Sequence, residues 1–287
     1  VILVFVPSCG RCIPCAEGRP ALCEPGAKAN GAGTLLRGGV RLAKDGKAIN
    51  HHLGVSAFAE YAVVSRESAI KIDRSLPFEE AALFGCAVIT GAGAVINTAR
   101  MPAGASAAVV GLGGVGLMSM LAARLSGART IVAIDMLDDK LALARQLGAT
   151  HTVNSTKVDA VAEVMAITGR GADAAFDFVG IPAVTQSGLD MIRPGGGLYL
   201  IGIVDPSAML DLLTVGVIGT QKRIQGVYMG STTPKRDIPL YADLYLQGRF
   251  NLDDLVSREI ALDGINEGYD MLKEPDVTRV VITSGLS

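Results

Sequence analysis

The chain has 287 residues, of which 49% are hydrophobic and 19% are charged, which is enough apolar material for one large domain or two ordinary ones. Its 26 Lys and Arg residues and 28 Asp and Glu residues give a net charge of -2, without the basic excess of a nucleic-acid-binding surface. Trp is absent and aromatic residues make up only 5%, so base-stacking platforms are not expected either.

The first six residues are all apolar and predict a buried strand. They are too few for the apolar region of a secretion signal, and no charged region precedes them, so we expect a cytoplasmic protein. A strand needs neighbours that pair with its backbone, and the chain opens with Val1 rather than Met. We therefore expect the sequence to begin in the middle of a domain.

Four of the five cysteines fall within one short segment, at Cys9, Cys12, Cys15 and Cys23. Zinc accepts four thiolates in a closed tetrahedral shell, which leaves no open position for catalysis. The spacing therefore predicts a structural zinc site. An iron–sulfur cluster is an alternative, although the bacterial ferredoxin spacing is not matched, and free thiols are another.

Two uncharged stretches, residues 81–99 and 101–123, are long enough to cross a membrane. Both contain glycines that a nucleotide-binding loop explains better, so we interpret them as a buried α/β core rather than a transmembrane hairpin. Residues 1–88 are rich in turns and contain alternating apolar stretches such as residues 58–64. This first segment is predicted to be mainly β.

From Ser106 onward, apolar strands alternate with amphipathic helices, which is typical of a doubly wound parallel sheet. The predicted strands are residues 107–110, 130–134, 151–153, 174–179, 198–203 and 224–228. The predicted helices run from a glycine-rich turn to about residue 125, and over residues 139–147 and 158–168. The tail is predicted to contain helices at 238–247 and 264–272 and a strand at 280–282.

A G-x-G-x-x-G motif follows the first of these strands, and it consists of Gly111, Leu112, Gly113, Gly114, Val115 and Gly116. Its place between a strand and a helix predicts a pyrophosphate-binding loop, in which Gly113 lets backbone N–H groups approach the phosphates. Asp135 ends the next strand, where its carboxylate would bind the adenosine ribose and repel a 2′-phosphate. The glycine motif and Asp135 together predict that the chain binds NAD rather than NADP. The alternative is an ordinary turn followed by a surface Asp.

The cysteine segment and the glycine motif together resemble the zinc-containing medium-chain alcohol dehydrogenase family. The resemblance continues through residues 51–58 (HHLGVSAF), 85–91 (GCAVITG) and 265–270 (INEGYD), so it covers nearly the whole chain. It implies a Rossmann domain inserted in a mainly-β GroES-like catalytic domain. We accordingly expect a partial catalytic domain at 1–88, an NAD-binding domain at 89–229 and a return to the catalytic domain at 230–287.

The resemblance also implies several site residues. Cys86 would be a ligand of a catalytic zinc, and Thr90 would lie beside the nicotinamide. The residues implied to contact the cofactor are Leu112 and Val115, with Asp135 and Lys140 at the ribose and Arg279 at the pyrophosphate. The alternatives are a small buried residue for the cysteine and ordinary solvated charges for the two basic residues.

The implied activity is hydride transfer between a primary or secondary alcohol, or an aldehyde, and NAD(H), in a homodimer or homotetramer. The family's catalytic zinc also takes a Cys and a His whose motifs are not in this sequence. We therefore expect an N-terminally truncated chain that binds NAD and structural zinc with negligible turnover. The alternatives are an S-(hydroxymethyl)glutathione (formaldehyde) dehydrogenase of the same family and a non-catalytic NAD-binding protein.

Overall fold

Two compact units make up the chain in the computed structural model, which describes residues 1–203, 206–274 and 276–285. Unit 1 contains Val1–Ile89 and Ser231–Ser287, and unit 2 contains Thr90–Gly230. The middle of the chain thus forms one unit, and both ends contribute to the other.

The first part of unit 1 contains only short elements. They are β1 (Ile2–Leu3), α1 (Ile13–Ala16), α2 (Glu24–Gly31), β2 (Leu42–Lys44), β3 (Lys47–Ile49), β4 (Ala69–Ile70) and α3 (Phe78–Leu83). Strand β1 pairs with β4 and β2 pairs with β3, both antiparallel. Helix α3 continues into a π-helical stretch, Phe84–Val88.

Strands and helices alternate through the middle of the chain. The elements are α4 (Ile89–Gly93) with a π-helical continuation to Ala99, β5 (Ser106–Val110), α5 (Gly114–Leu125), β6 (Thr130–Asp135), α6 (Asp138–Gln146), β7 (His151–Asn154), α7 (Ala160–Thr168), β8 (Ala172–Asp177), α8 (Pro182–Met191), β9 (Ile192–Leu200), α9 (Thr214–Thr220) and β10 (Arg223–Gly226). Local signals set the helix ends. In α7, the Asp159 carboxylate caps the first turn, and Gly169, at φ +78°, ends the helix in the left-handed conformation.

The sheet of unit 2 has six strands in the order β10-β9-β8-β5-β6-β7, and every pairing is parallel. Strand β5 is buried along its whole length, as expected for a strand covered on both faces. The chain leaves β5 toward β6 on one side and later returns to β8 on the other, so the order reverses between β5 and β8. The predicted doubly wound sheet is confirmed, and its reversal point is where such sheets bind ligands.

The tail of unit 1 contains α10 (Pro234–Leu246), β11 (Arg258–Ala261), α11 (Ile265–Met271) and β12 (Val280–Ser284). Strands β11 and β12 pair in parallel. Tyr241 and Ile238 are the most deeply buried large side chains of α10, so this helix contributes directly to the core of unit 1.

Three element predictions are wrong in detail. Residues 58–64 form bends and irregular chain instead of a strand, and the apolar start is paired only at Ile2–Leu3. Strand β9 begins at Ile192 and ends at Leu200, rather than covering residues 198–203. Alternation and apolar character mark residues that can pair, but a strand forms only where a partner supplies backbone hydrogen bonds.

The helical run Phe78–Ala99 is long and apolar enough to cross a membrane by length and composition. However, 67% of its apolar window is buried within the protein, as in the core helix of a globular domain. This observation favours the interpretation of the stretch as core.

Candidate functional site

The loop between β5 and α5 is shaped by two glycines that no other residue could replace without rearrangement. Gly111 has φ +89°, and an added Cβ would lie 2.8 Å from Cγ2 of Val179. At Gly116, an added Cβ would overlap the carbonyl oxygen of Gly111. The turn and the close contact between helix and loop therefore both require glycine.

Gly113 has a different environment, because a Cβ added there would meet no protein atom within 4 Å. It is exposed and precedes the first turn of α5, with φ -70° and ψ 177°, a conformation open to any residue. Neither backbone strain nor packing explains a glycine here. The free space lies at the positive end of a 12-residue helix, which is a favourable place for a phosphate group.

Asp135 ends β6 beside this loop, and backbone N–H groups hold its carboxylate. Its Oδ2 accepts from the N–H of Leu112 at 2.8 Å. Its Oδ1 accepts from the N–H groups of Met136 at 2.8 Å and Leu137 at 3.1 Å. A carboxylate has about four acceptor positions, so roughly one remains on Oδ2 for a ligand hydroxyl.

The other residues implied to contact a cofactor differ in their exposure. The Leu112 side chain is fully buried, so its N–H bond to Asp135 is its contribution to the loop. Val115 and Lys140 are half-buried. Lys140 makes no hydrogen bond or ion pair with any residue that the structure describes, so its amino group is available to a ligand.

A cavity of about 190 Å³ opens at the carboxyl ends of β5 and β6, next to Asp135. Its wall is mainly apolar and includes Val110, Ile134, Met136, Val179 and Ile181. A flat apolar group attached to a sugar at Asp135 would find a matching surface here.

The four clustered cysteines come together around one point. Their sulfur atoms all lie within 4.8 Å of one another, and those of Cys12 and Cys23 are 3.9 Å apart. Four sulfurs at ~2.3 Å from a tetrahedral zinc ion lie about 3.8 Å from one another, so the set fits zinc after a small contraction. All four thiols are free rather than paired as disulfides.

Backbone amides support the thiol cluster. Cys23 is fully buried, and its sulfur accepts from the N–H groups of Cys9 at 3.2 Å and Gly26 at 3.4 Å. Burial raises the pKa of the Cys15 thiol to about 12 and also raises that of Cys23. At Cys9 burial acts in the same direction, but hydrogen bonds from backbone N–H groups, including that of Cys12, lower the thiol pKa to about 7.

Cys86 lies on the π-helical stretch after α3, where its side chain is exposed. It lines a mainly apolar cavity of about 490 Å³ in unit 1, and Arg279 lines the same cavity. Among the described residues, the four-cysteine cluster is the only group of three or more His, Cys, Asp or Glu side chains placed to share an ion. Cys86 alone does not fit a catalytic zinc, which needs three protein ligands.

Thr90 is buried on α4 in unit 2, one residue before a close helix contact. An added Cβ on Gly91 would overlap the carbonyl oxygen of Val115 and lie 2.9 Å from Cβ of Met118. Gly91 therefore lets the helix that carries Thr90 pack directly on the first turns of α5. No sequence motif predicts this contact, which depends on two segments that only the fold brings together.

Asp177, at the end of β8, was also missed. It is only 1% exposed, although it is an acidic residue directly after three apolar residues, Ala174, Ala175 and Phe176. That interruption was the available signal, because a buried carboxylate needs several hydrogen bonds to compensate its desolvation.

Comparisons with known proteins agree with this combination of a doubly wound sheet, a glycine-rich loop and a four-cysteine cluster. The sequence model described as zinc-binding dehydrogenase matches residues 114–247. A probable S-(hydroxymethyl)glutathione dehydrogenase 1 of Schizosaccharomyces pombe is 36% identical over 284 residues, which are 98% of this chain and 75% of that protein.

Two solved structures share the fold over 99% of this chain and 77% of their own. An alcohol dehydrogenase zinc-binding domain protein from Burkholderia ambifaria is 34% identical with a TM-score of 0.94. A benzyl alcohol dehydrogenase from Acinetobacter calcoaceticus is 33% identical with a TM-score of 0.92. The class defined by fold and site is thus a zinc-binding oxidoreductase. The chain belongs to the zinc-containing medium-chain alcohol dehydrogenase family, which confirms the resemblance found in the sequence.

Proposed function

We propose that this oxidoreductase chain uses NAD(H) as its hydride carrier and acts on a small primary or secondary alcohol or the matching aldehyde. The observation that carries the proposal is the unfilled space at Gly113, next to the anchored carboxylate of Asp135. Together they offer an anion-binding backbone and a sugar-binding acceptor on the same edge of one sheet.

In this proposal, each group has one task. The backbone amides at Gly113 and at the start of α5 bind the diphosphate. The remaining acceptor position of Asp135 takes a hydrogen bond from the adenosine ribose, and its negative charge disfavours a 2′-phosphate. The apolar cavity beside it receives the adenine ring. When bound, the nicotinamide supplies the hydride chemistry.

Zinc in the cysteine cluster has a structural role in this proposal. The four thiolates form a closed shell, so the ion would hold residues 9–23 in place and would offer no position for a substrate. The described residues do not form a catalytic zinc site around Cys86. We therefore expect cofactor binding by the 287-residue chain without appreciable turnover.

The test is a titration of the purified, zinc-loaded chain with NADH, followed by the fluorescence of the bound nicotinamide. We expect saturable binding, and assays with benzyl alcohol or ethanol and NAD should give no rate above background. A folded sample that takes up no NADH would refute the proposed cofactor, and ready oxidation of these alcohols would refute the expected lack of turnover.

A second candidate is S-(hydroxymethyl)glutathione dehydrogenase activity, which the relative in Schizosaccharomyces pombe favours by its name. Formaldehyde and glutathione form the substrate of such an enzyme spontaneously. NAD reduction with formaldehyde that requires glutathione would support this candidate, whereas equal rates without glutathione would exclude it. The cytoplasmic location and the homodimer or homotetramer stay predictions.

A further inference from the structure

Asn154 ends β7 directly opposite Asp135 on β6, and its side-chain amide holds the turn that follows Asp135. The amide Nδ2 donates to the carbonyl oxygen of Met136 at 3.1 Å and to Oδ1 of Asp138 at 2.8 Å. A carbonyl oxygen only accepts, so the nitrogen of the amide must face this turn. One side chain thus connects the end of β7 to the chain between β6 and α6.

The bond from Asn154 to Met136 bears directly on the carboxylate of Asp135. The peptide unit between Met136 and Leu137 carries the accepting carbonyl on one side and the N–H of Leu137 on the other. This same N–H donates to Oδ1 of Asp135 at 3.1 Å. Since C=O and N–H point in opposite directions in a trans peptide, the hydrogen bond from Asn154 turns the N–H toward Asp135.

The hydrogen-bonding capacity of this amide is fully used within the protein. Its oxygen accepts from the N–H of Thr156 at 3.0 Å and from the Thr156 hydroxyl at 2.6 Å. Both lone pairs of the oxygen and both hydrogens of the nitrogen are therefore engaged. The bonds that the structure describes leave Asn154 no donor or acceptor for a ligand, so it can act on a ligand only through the turn that it holds.

We propose that Asn154 is a positioning residue that determines the preference for a dinucleotide without a 2′-phosphate. It fixes the peptide unit after Met136, and through this unit it holds the Asp135 carboxylate with its remaining acceptor position toward the ribose. The inference rests on the proposed function. Met136 and Ser155 also line the apolar cavity beside Asp135, so this network borders the half of the site that we assign to adenosine.

The experiment is a double-mutant cycle on the zinc-loaded 287-residue chain, with calorimetric titration of NADH and NADPH. Asn154→Ala should raise the NADH dissociation constant about fivefold, and the preference for NADH over NADPH should fall by the same factor. In a chain that already carries Asp135→Ala, the same substitution should change the NADH constant less than about twofold, because the group that Asn154 positions is gone. Independent effects on the fold would multiply instead.

Asp173→Asn is the matched control. Asp173 lies near the start of β8, at the opposite edge of the same sheet, where it bonds Ser106 and Arg193. This variant also loses side-chain hydrogen bonds, but it should keep the wild-type NADH constant and the wild-type preference for NADH. If Asn154→Ala does not fold, Asn154→Leu decides by the same cycle, because leucine is similar in size and its side chain makes no hydrogen bond.

The possible results separate the role of Asn154 from the proposed function. Unchanged NADH binding in a folded Asn154→Ala or Asn154→Leu variant overturns this role, and the proposed function stands. Equal weakening of NADH and NADPH, or effects that multiply in the cycle with Asp135→Ala, also overturns it. A folded wild-type chain that binds no NADH overturns the proposed function, and the role of Asn154 with it.

Discussion

The two glycines Gly113 and Gly116 have opposite environments, and alanine substitutions should separate ligand binding from folding. In Gly113→Ala, the new methyl group meets no protein atom within 4 Å, and the backbone at φ -70° accepts alanine. We expect the free energy of unfolding to change by less than about 0.5 kcal/mol. The methyl group fills the space proposed for the diphosphate, so NADH affinity should fall about thirtyfold, or ~2 kcal/mol.

In Gly116→Ala, the new Cβ overlaps the carbonyl oxygen of Gly111 and lies 3.1 Å from its carbonyl carbon. Neither backbone atom can rotate away, so α5 must shift from the loop. Overpacking of this kind costs ~3 kcal/mol, which corresponds to a melting temperature about 5 °C lower for a chain of this length.

Thermal melts and NADH titrations of both variants test this pair of expectations. A Gly113→Ala variant that binds NADH with wild-type affinity would refute the placement of the diphosphate on this backbone. A Gly116→Ala variant that melts with the wild type would refute the packing argument.

Zinc removal and acidification give two further predictions. Treatment with a strong chelator should release one zinc ion per chain and lower the melting temperature. Cys23→Ser should abolish zinc binding, whereas Cys86→Ser should keep the wild-type zinc content. Equal loss of zinc in both variants would contradict the assignment of the cluster. Burial raises the pKa of Asp173, but hydrogen bonds from Ser106 and Arg193 outweigh this effect and hold it below its ordinary value of 3.8. A lowered carboxyl pKa stabilises the fold above the ordinary pKa, and this effect is lost as the pH falls through the folded-state pKa. We expect Asp173→Asn to destabilise the chain by ~1 kcal/mol at pH 7. This difference should shrink below about pH 4. Urea unfolding at several pH values measures this difference, and a constant difference down to pH 3 would contradict it.

The parts of the fold that the sequence predicted well are those in which the signals are local. The strand–loop–helix–strand unit from Ser106 to Asp135 has an apolar strand, a glycine motif and an acidic residue in one short segment, and the structure has the same order. The clustering of the four cysteines could be predicted for the same reason, because they span only residues 9–23.

The parts that could not be predicted depend on distant partners. Residues 58–64 alternate as a strand does, but no described strand pairs with them. The hydrogen bonds of Asp177 depend on Thr185, which approaches it when α8 packs on β8, and on Gly202, which approaches it only when β8 and β9 pair. The cavity beside Cys86 could not be predicted for the same reason, because its lining residues come from separate segments between Ala57 and Ile282.

The proposed function requires that a dinucleotide without a 2′-phosphate binds with its adenosine ribose at Asp135. Calorimetric titration of the zinc-loaded chain with NADH and with NADPH, repeated on Asp135→Ser, measures this preference. We expect the wild type to prefer NADH by at least tenfold, or about 1.4 kcal/mol, and the variant to lose most of this preference. Equal affinities in the wild type, or a preference for NADH that survives the substitution, would show that Asp135 does not bind the ribose.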